Sequence, residues 1–304
     1  MNLTRKQFEL LQTISEAPGA LTQRQLEEKT GYSLGTVNRV LKELTGLRYL
    51  ADGRISKEGL EVLESYRVKR AVFVAAGFGS RLAPITFNTP KPLVRVHGMR
   101  IIDRLIDACL AAGIEEIYIV RGYLGELFDQ LLYKYPMIKF IDNPVYSEAN
   151  NISSALVARH LLSSAYVFEA DLLLSNPKII RKYHYTSDFL AIKKERSDDW
   201  CFRVKDGVIV EEKVGGEGDD VWQMVGISYW NEEDGRKLAR DIEEVYASPG
   251  GKERYWEQVP LVYRKENYAV EISECSEEDI IEIDTFSELK AIDKTYDVQG
   301  SCSK

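Results

Sequence analysis

Apolar residues in the first 66 positions recur at helical spacing in short runs cut by turn residues. Phe8, Leu11 and Ile14 mark a first helix, stopped by Ala17-Pro18-Gly19. Leu34, Val37, Val40, Leu41 and Leu44 share one face of a third, leaving Thr36, Asn38, Arg39 and Lys42 on the other. Thr4 with Gln7 and Thr22 with Gln25 have the spacing at which a hydroxyl and a glutamine cap each other's backbone donors, so helices are expected to start there. Residues 48–56 read as two short strands around Asp52-Gly53, and residues 57–67 as a fourth helix. After position 70 the pattern changes to short apolar runs alternating with amphipathic stretches. Ala71-Val72-Phe73-Val74 suits a buried parallel strand; helices are expected over 100–112, 124–135 and 150–162, and strands over 116–120 and 139–141. That alternation predicts an α/β fold with a doubly wound, mostly parallel, Rossmann-like sheet. Its ligands would gather at the carboxyl ends of the strands, where Gly77, Arg121-Gly122-Tyr123 and Asp171 fall.

The order helix, helix-turn-helix, hairpin, helix resembles the winged helix-turn-helix domains of small bacterial regulators. The resemblance implies that Thr36, Asn38, Arg39 and Lys42 face duplex DNA, with Arg48 and Arg54 of the hairpin on backbone phosphates. Winged helices also serve as packing or dimerisation modules, and that reading stays open. The expected organisation is thus a winged helix-turn-helix domain over 1–66, a second domain over 67–297 and a flexible tail over 298–304.

Directly after the first strand of the second domain comes Ala75-Ala76-Gly77-Phe78-Gly79-Ser80-Arg81-Leu82. A glycine-rich turn there lets backbone N–H groups approach phosphate oxygens. It lacks the third glycine of a dinucleotide fingerprint and the G-K-[ST] of a Walker loop. The run continues through Pro84 and Thr89-Pro90-Lys91-Pro92. Together these residues resemble the signature of the sugar-nucleotide pyrophosphorylase-like nucleotidyltransferases. The resemblance implies that Ala75, Ala76, Gly77, Gly79, Ser80 and Arg81 wrap a triphosphate, with Gly122, Tyr123 and Asn151 also on the nucleotide. It further implies that Arg81 faces the leaving pyrophosphate and that Lys91 reaches the α-phosphate and the attacking phosphate. Nucleotidyl transfer asks for such fixed positive charge where negative charge accumulates.

Asp171 ends the apolar run Tyr166-Val167-Phe168-Glu169-Ala170, and Asp284 ends Ile280-Ile281-Glu282-Ile283, the usual place for a carboxylate that holds a metal against phosphates. The resemblance gives both aspartates a catalytic Mg²⁺; Asp284 also opens a helix capped by Thr285 and Glu288.

Over residues 70–293 the chain is most similar to bacterial phosphocholine cytidylyltransferases. The carriers are Arg121-Gly122-Tyr123-Leu124, Asn150-Asn151, Asp199-Trp200, Val225-Gly226-Ile227-Ser228-Tyr229-Trp230 and Tyr255-Trp256-Glu257. This implies CTP and phosphocholine as substrates, CDP-choline and pyrophosphate as products, and a cage for the cationic head group from Trp200, Tyr255 and Glu257. The family pattern has Asp where this chain has Glu257, which leaves the head group open. Alternatives are 2-aminoethylphosphonate, phosphoethanolamine or a sugar 1-phosphate, and, in another class, a DNA-binding regulator whose second domain senses nucleotide without turnover. The aromatic residues, alternatively, simply fill the core.

Composition narrows rather than extends this picture. At 44% apolar and 29% charged residues the chain is globular, not disordered. Residues 1–70 carry 12 basic and 9 acidic side chains and the remainder 28 and 39, so uniform nucleic-acid binding is not expected. No run approaches the roughly 20 apolar residues of a membrane span, and the N-terminus does not read as a secretory signal; a cytoplasmic protein without membrane contact is expected. The four cysteines and three histidines are scattered, with no metal or disulfide spacing. Oligomeric state is not fixed by the sequence, and a homodimer is one arrangement it allows.

Overall fold

The computed structural model of the chain describes residues 3–297. The tail expected over 298–304, with Cys302, lies outside the described residues. The chain divides into two compact units, the first running to Val68 and taking in Tyr183–Tyr185, the second comprising the rest. Three residues from the middle of the chain thus belong to the first unit, which no cut at a single position anticipates.

In the first unit α1 (Arg5–Ser15), α2 (Gln23–Thr30) and α3 (Leu34–Gly46) are followed by the hairpin β1 (Leu50–Ala51) and β2 (Arg54–Ile55), then α4 (Lys57–Glu64). Thr4 with Gln7 and Thr22 with Gln25 form capping boxes, and Ser33 caps α3. Val37, Val40 and Leu44 enter a core with Phe8, Leu11, Leu26, Leu63 and Tyr183. Leu34, grouped with them by spacing, is 39% exposed. Helical spacing fixes a face but not where along the helix the core begins.

The second unit is built on a seven-stranded sheet. Its strands are β3 (Arg70–Val74), β6 (Glu116–Arg121), β7 (Lys139–Asp142), β8 (Ala165–Glu169), β10 (Asp188–Lys205), β11 (Val208–Trp230) and β12 (Glu271–Cys275), in spatial order β10-β12-β11-β8-β3-β6-β7. Small hairpins pair β4 (Arg95–Val96) with β5 (Met99–Arg100), and β9 (Leu172–Leu174) with β13 (Ile280–Glu282). Strands β8, β3, β6 and β7 run parallel; β11 is antiparallel to β8 and to β10. Helices α5 (Ile101–Ala111), α6 (Ile152–Ala158), α7 (Glu232–Ala247) and α8 (Phe286–Ile292) complete the unit. The expected helix over 124–135 is a 3₁₀ stretch, Gly125–Tyr133, and that over 150–162 is α6 with a 3₁₀ turn, Arg159–Leu161, after it.

A mostly parallel sheet buried on both faces explains why β3 reads as an unbroken apolar run: Ala71, Val72 and Phe73 are fully buried. Cys109, Cys201 and Cys275 are buried free thiols. No helix among the described residues is long and apolar enough to cross a membrane.

Candidate active site

The glycine-rich loop leaves the sheet where β3 ends. Ala75 N–H still donates to Val120 O (2.9 Å), and Tyr123 N–H donates to Ala76 O (3.1 Å), tying the loop to the end of β6. Gly122 is required there, because a Cβ would lie 2.6 Å from the Tyr146 ring and 2.9 Å from Ala76 O. Gly79 has a left-handed backbone (φ 60°) and leaves no free space over the Lys91 stem, 3.0 Å from where a Cβ would stand. Two hollows flank Gly77. One of about 250 Å³ is lined by Gly79, Ser80, Arg81, Lys91 and Asp171. The other, about 530 Å³, is lined by Ala76, Phe78, Asn143, Tyr146 and Asn151 among others. The Phe78 ring lies at 5.2 Å from Tyr123 and 5.4 Å from Tyr146.

Four residues expected to act on phosphate are brought together. Lys91, 7% exposed, donates from Nζ to Asp171 Oδ2 (2.8 Å) and Asp284 Oδ1 (3.1 Å). Arg81 grips Asp284 with both terminal nitrogens, Nη2 to Oδ1 at 2.6 Å and Nη1 to Oδ2 at 2.9 Å. Burial alone would lower the Lys91 ammonium, but Asp171 and Asp284 outweigh it and hold it above its ordinary value. Burial likewise opposes ionisation of Asp284, yet hydrogen bonding from Glu282 and the Lys91 and Arg81 charges keep its carboxyl low.

Behind this quartet lie two carboxylates that sequence reasoning passed over, Glu169 and Glu282. Glu169, Asp171 and Glu282 each offer an oxygen within 4.8 Å of the others. Asp171 Oδ1 is buried and has no hydrogen-bond partner. Burial, then Asp171 and Asp284, push Glu282 up to about 9, and burial with Glu257 pushes Glu169 well above the carboxylate range. A divalent cation is the chemistry that this donor set lacks. Both glutamates end their strands, β8 at Glu169 and β13 at Glu282, and a second carboxylate two residues before each aspartate was the available signal.

The head-group residues separate. Trp200 and Tyr255 meet edge to face, centroids 5.7 Å apart, with Tyr255 43% exposed. Glu257 is 3% exposed, and Asn151 Nδ2 donates to both its oxygens at 3.2 and 3.1 Å. Asn151, expected on the nucleotide, therefore also secures Glu257, and its Oδ1 accepts from Trp256 N–H (2.9 Å). Trp256 itself is core, 2% exposed and packed against Phe189 and Trp230. In the first unit Asn38, Arg39 and Lys42 are exposed and Thr36 half-buried; Arg39 pairs with Glu43 at 2.6 Å.

A parallel-centred sheet, a glycine-rich loop and clustered Lys, Arg and acidic side chains at its carboxyl edge define a nucleotide-handling transferase. The chain belongs to the nucleotidyltransferase family: the profile described as "Nucleotidyl transferase" matches residues 70–204, and cytidylyltransferases are among its relatives. The 2-aminoethylphosphonate cytidylyltransferase of Lancefieldella rimae is 36% identical over 74% of this chain and 92% of that protein. The choline-phosphate cytidylyltransferase of Streptococcus pneumoniae is 29% identical over 74% and 97%. A solved structure of the CTP:phosphocholine cytidylyltransferase from S. pneumoniae superposes with a TM-score of 0.68 at 29% identity, covering 75% of this chain and 99% of that one. The MarR family profile matches residues 1–54, which makes the N-terminal unit a winged helix.

Proposed function

We propose that the chain condenses CTP with a small phosphate or phosphonate carrying a cationic amine, releasing pyrophosphate. The observation that carries this reading is Lys91, buried beside the glycine-rich loop and clamped with Arg81 by Asp171 and Asp284. An acceptor oxygen attacks the α-phosphorus in line, and the bond to the bridging oxygen of the β-phosphate breaks. Lys91 and Arg81 offset charge on the phosphate oxygens as it accumulates, and the backbone N–H groups of Gly77 to Ser80 cradle the triphosphate. Asp171 and Asp284, with Glu169 and Glu282, are the residues that would hold a divalent metal ion such as Mg²⁺, and that ion would supply further positive charge at the phosphates. Phosphocholine, giving CDP-choline, is one acceptor that fits; 2-aminoethylphosphonate, named for the 36% relative, fits as well.

Pyrophosphate release by the full chain with CTP and Mg²⁺, across phosphocholine, phosphoethanolamine, 2-aminoethylphosphonate and glucose 1-phosphate, tests the reading. Turnover with an amine-bearing acceptor is expected. No release with any of them would instead make the second unit a nucleotide sensor, and preference for the sugar phosphate would remove the cationic acceptor.

We also propose that the winged helix binds duplex DNA through Thr36, Asn38, Arg39 and Lys42. The exposed face of α3 and the MarR family match support this reading.

A further inference from the structure

Residues 200–214 place an unassigned carboxylate on the same side of the β10–β11 ribbon as Trp200, whose ring meets Tyr255. In the β10–β11 ladder Trp200 stands opposite Val214 and Phe202 opposite Glu212. Directly paired residues share a sheet face and residues two apart on one strand share it again, so Trp200, Phe202 and Glu212 lie on one side. Phe202 shows which side: it is 1% exposed and packs edge to face on Phe189 in the core. Next along the ladder, Arg203 and Glu211 form their salt bridge on the opposite, exposed side. Glu212 therefore points inward beside Trp200, towards Glu257.

Three observations describe what Glu212 lacks. Its Oε2 is buried and has no hydrogen-bond partner. Burial and the Glu257 charge push its carboxyl up to about 7, so the two acids oppose each other. Among the described residues, no lysine or arginine forms a salt bridge with Glu212 or Glu257. An unpartnered carboxylate oxygen on the Trp200 side of the ribbon, with the Glu257 charge near it and two partly exposed aromatic rings, leaves room in the chemistry for one mobile positive charge.

We propose that Glu212 grips the acceptor's ammonium group and selects a head group bearing N–H over a quaternary one. The proposal rests on the cytidylyltransferase reading above. A trimethylammonium satisfies aromatic faces but cannot donate to the orphan oxygen, whereas a primary ammonium has three donors, one for Glu212 and others for Glu257 or water. An unpaired buried carboxylate oxygen thus discriminates by the bond it would otherwise leave unmade.

The experiment compares steady-state kinetics of the full chain with phosphoethanolamine, its N-methyl and N,N-dimethyl derivatives, and phosphocholine, at saturating CTP, and then varies CTP at saturating acceptor. The parent should favour acceptors with N–H by about tenfold or more in kcat/KM, the drop falling at the third methyl, which removes the last N–H. Glu212→Gln should bring that preference down about tenfold, towards equal use of the four acceptors, through the acceptor KM rather than the KM for CTP. Glu212→Asp, which keeps the charge one methylene back, should recover part of it. An unchanged preference in Glu212→Gln, with turnover intact, overturns the assignment of Glu212 alone. Equal loss for all four acceptors and for CTP also overturns it, in favour of packing. Absence of turnover in the parent with every acceptor overturns the underlying reading and this proposal with it.

Discussion

Lys91 is held where it cannot leave: its ammonium is bonded to two carboxylates and its stem is covered by Gly79. Such a fixed charge is worth most where little reorganisation is needed as phosphate charge shifts. Lys91→Ala is expected to lower kcat by about 10²–10³-fold, read at saturating CTP and acceptor. It also leaves Asp171 without its ammonium partner, while Asp284 keeps Arg81, so its thermal midpoint should fall without divalent metal; parental turnover would take Lys91 out of the mechanism. Gly226 supplies a second test at this scale. A Cβ there would collide with the Glu169 carboxylate and sit 2.7 Å from its Cγ and Cδ. Gly226→Ala should therefore move Glu169 and shift the Mg²⁺ activation curve to higher concentration by about tenfold or more, the usual cost of disturbing a ligand or its support. Superimposable Mg²⁺ titrations of variant and parent would free Glu169 from the metal assignment.

At the scale of elements, α3 keeps the expected apolar face except at Leu34. Ser33 caps it, Val37, Val40 and Leu44 anchor it, and its polar face is exposed. If that face lies on DNA, the Arg39–Glu43 bond must open first, and an exposed i,i+4 pair costs only about 0.3–0.5 kcal/mol to break. Affinity measured by gel shift should then fall with salt by a log–log slope of about −0.9 per phosphate contact, and Arg39→Ala should reduce the slope by about one contact. No binding at low salt would leave the winged helix as a packing module. Elements set by local rules were legible: the capping boxes, the buried β3 and the strand-end aspartates could all be read from neighbours in sequence. The long β10–β11 ribbon could not, because Gly215, Gly216 and Gly218 with the exposed run Glu217, Asp219 and Asp220 read as loop. Its antiparallel partner, not its own pattern, makes it strand. For the same reason Glu212 stayed hidden: its meaning depends on Glu257, which only the tertiary fold brings near.

Across the whole molecule, acidic groups held at unusual protonation make stability depend on pH. Glu257 and Glu212, ordinarily near 4.5, are both pushed up to about 7 by burial, Glu212 further by the Glu257 charge. A carboxyl whose folded value is raised favours the folded state fully below its unfolded value and loses that contribution as pH rises towards the folded one. Between about pH 4.5 and 7 the folded chain thus binds more protons than the unfolded chain, and stability declines. Asp284, kept low by its hydrogen bonds and by Lys91 and Arg81, has the opposite sign and withdraws its contribution only as pH falls below the ordinary carboxylate range. Stability should therefore be greatest in the ordinary carboxylate range, about pH 4 to 4.5, with the thermal midpoint, measured without metal or substrate, lower at pH 8 than at pH 5.5. Glu212→Gln removes one of these raised carboxyls, leaving Glu257, Glu169 and Glu282, so its midpoint should fall less over the same interval. A midpoint that is flat or rising from pH 5.5 to 8 in the parent would show that the facing carboxyls are not the dominant titration. The same interval offers a further reading: at pH 8, where Glu212 and Glu257 are ionised and neither is paired with a lysine or arginine among the described residues, millimolar phosphoethanolamine should raise the midpoint more than it does at pH 5.5, because a bound ammonium is most stabilising where both acids are ionised.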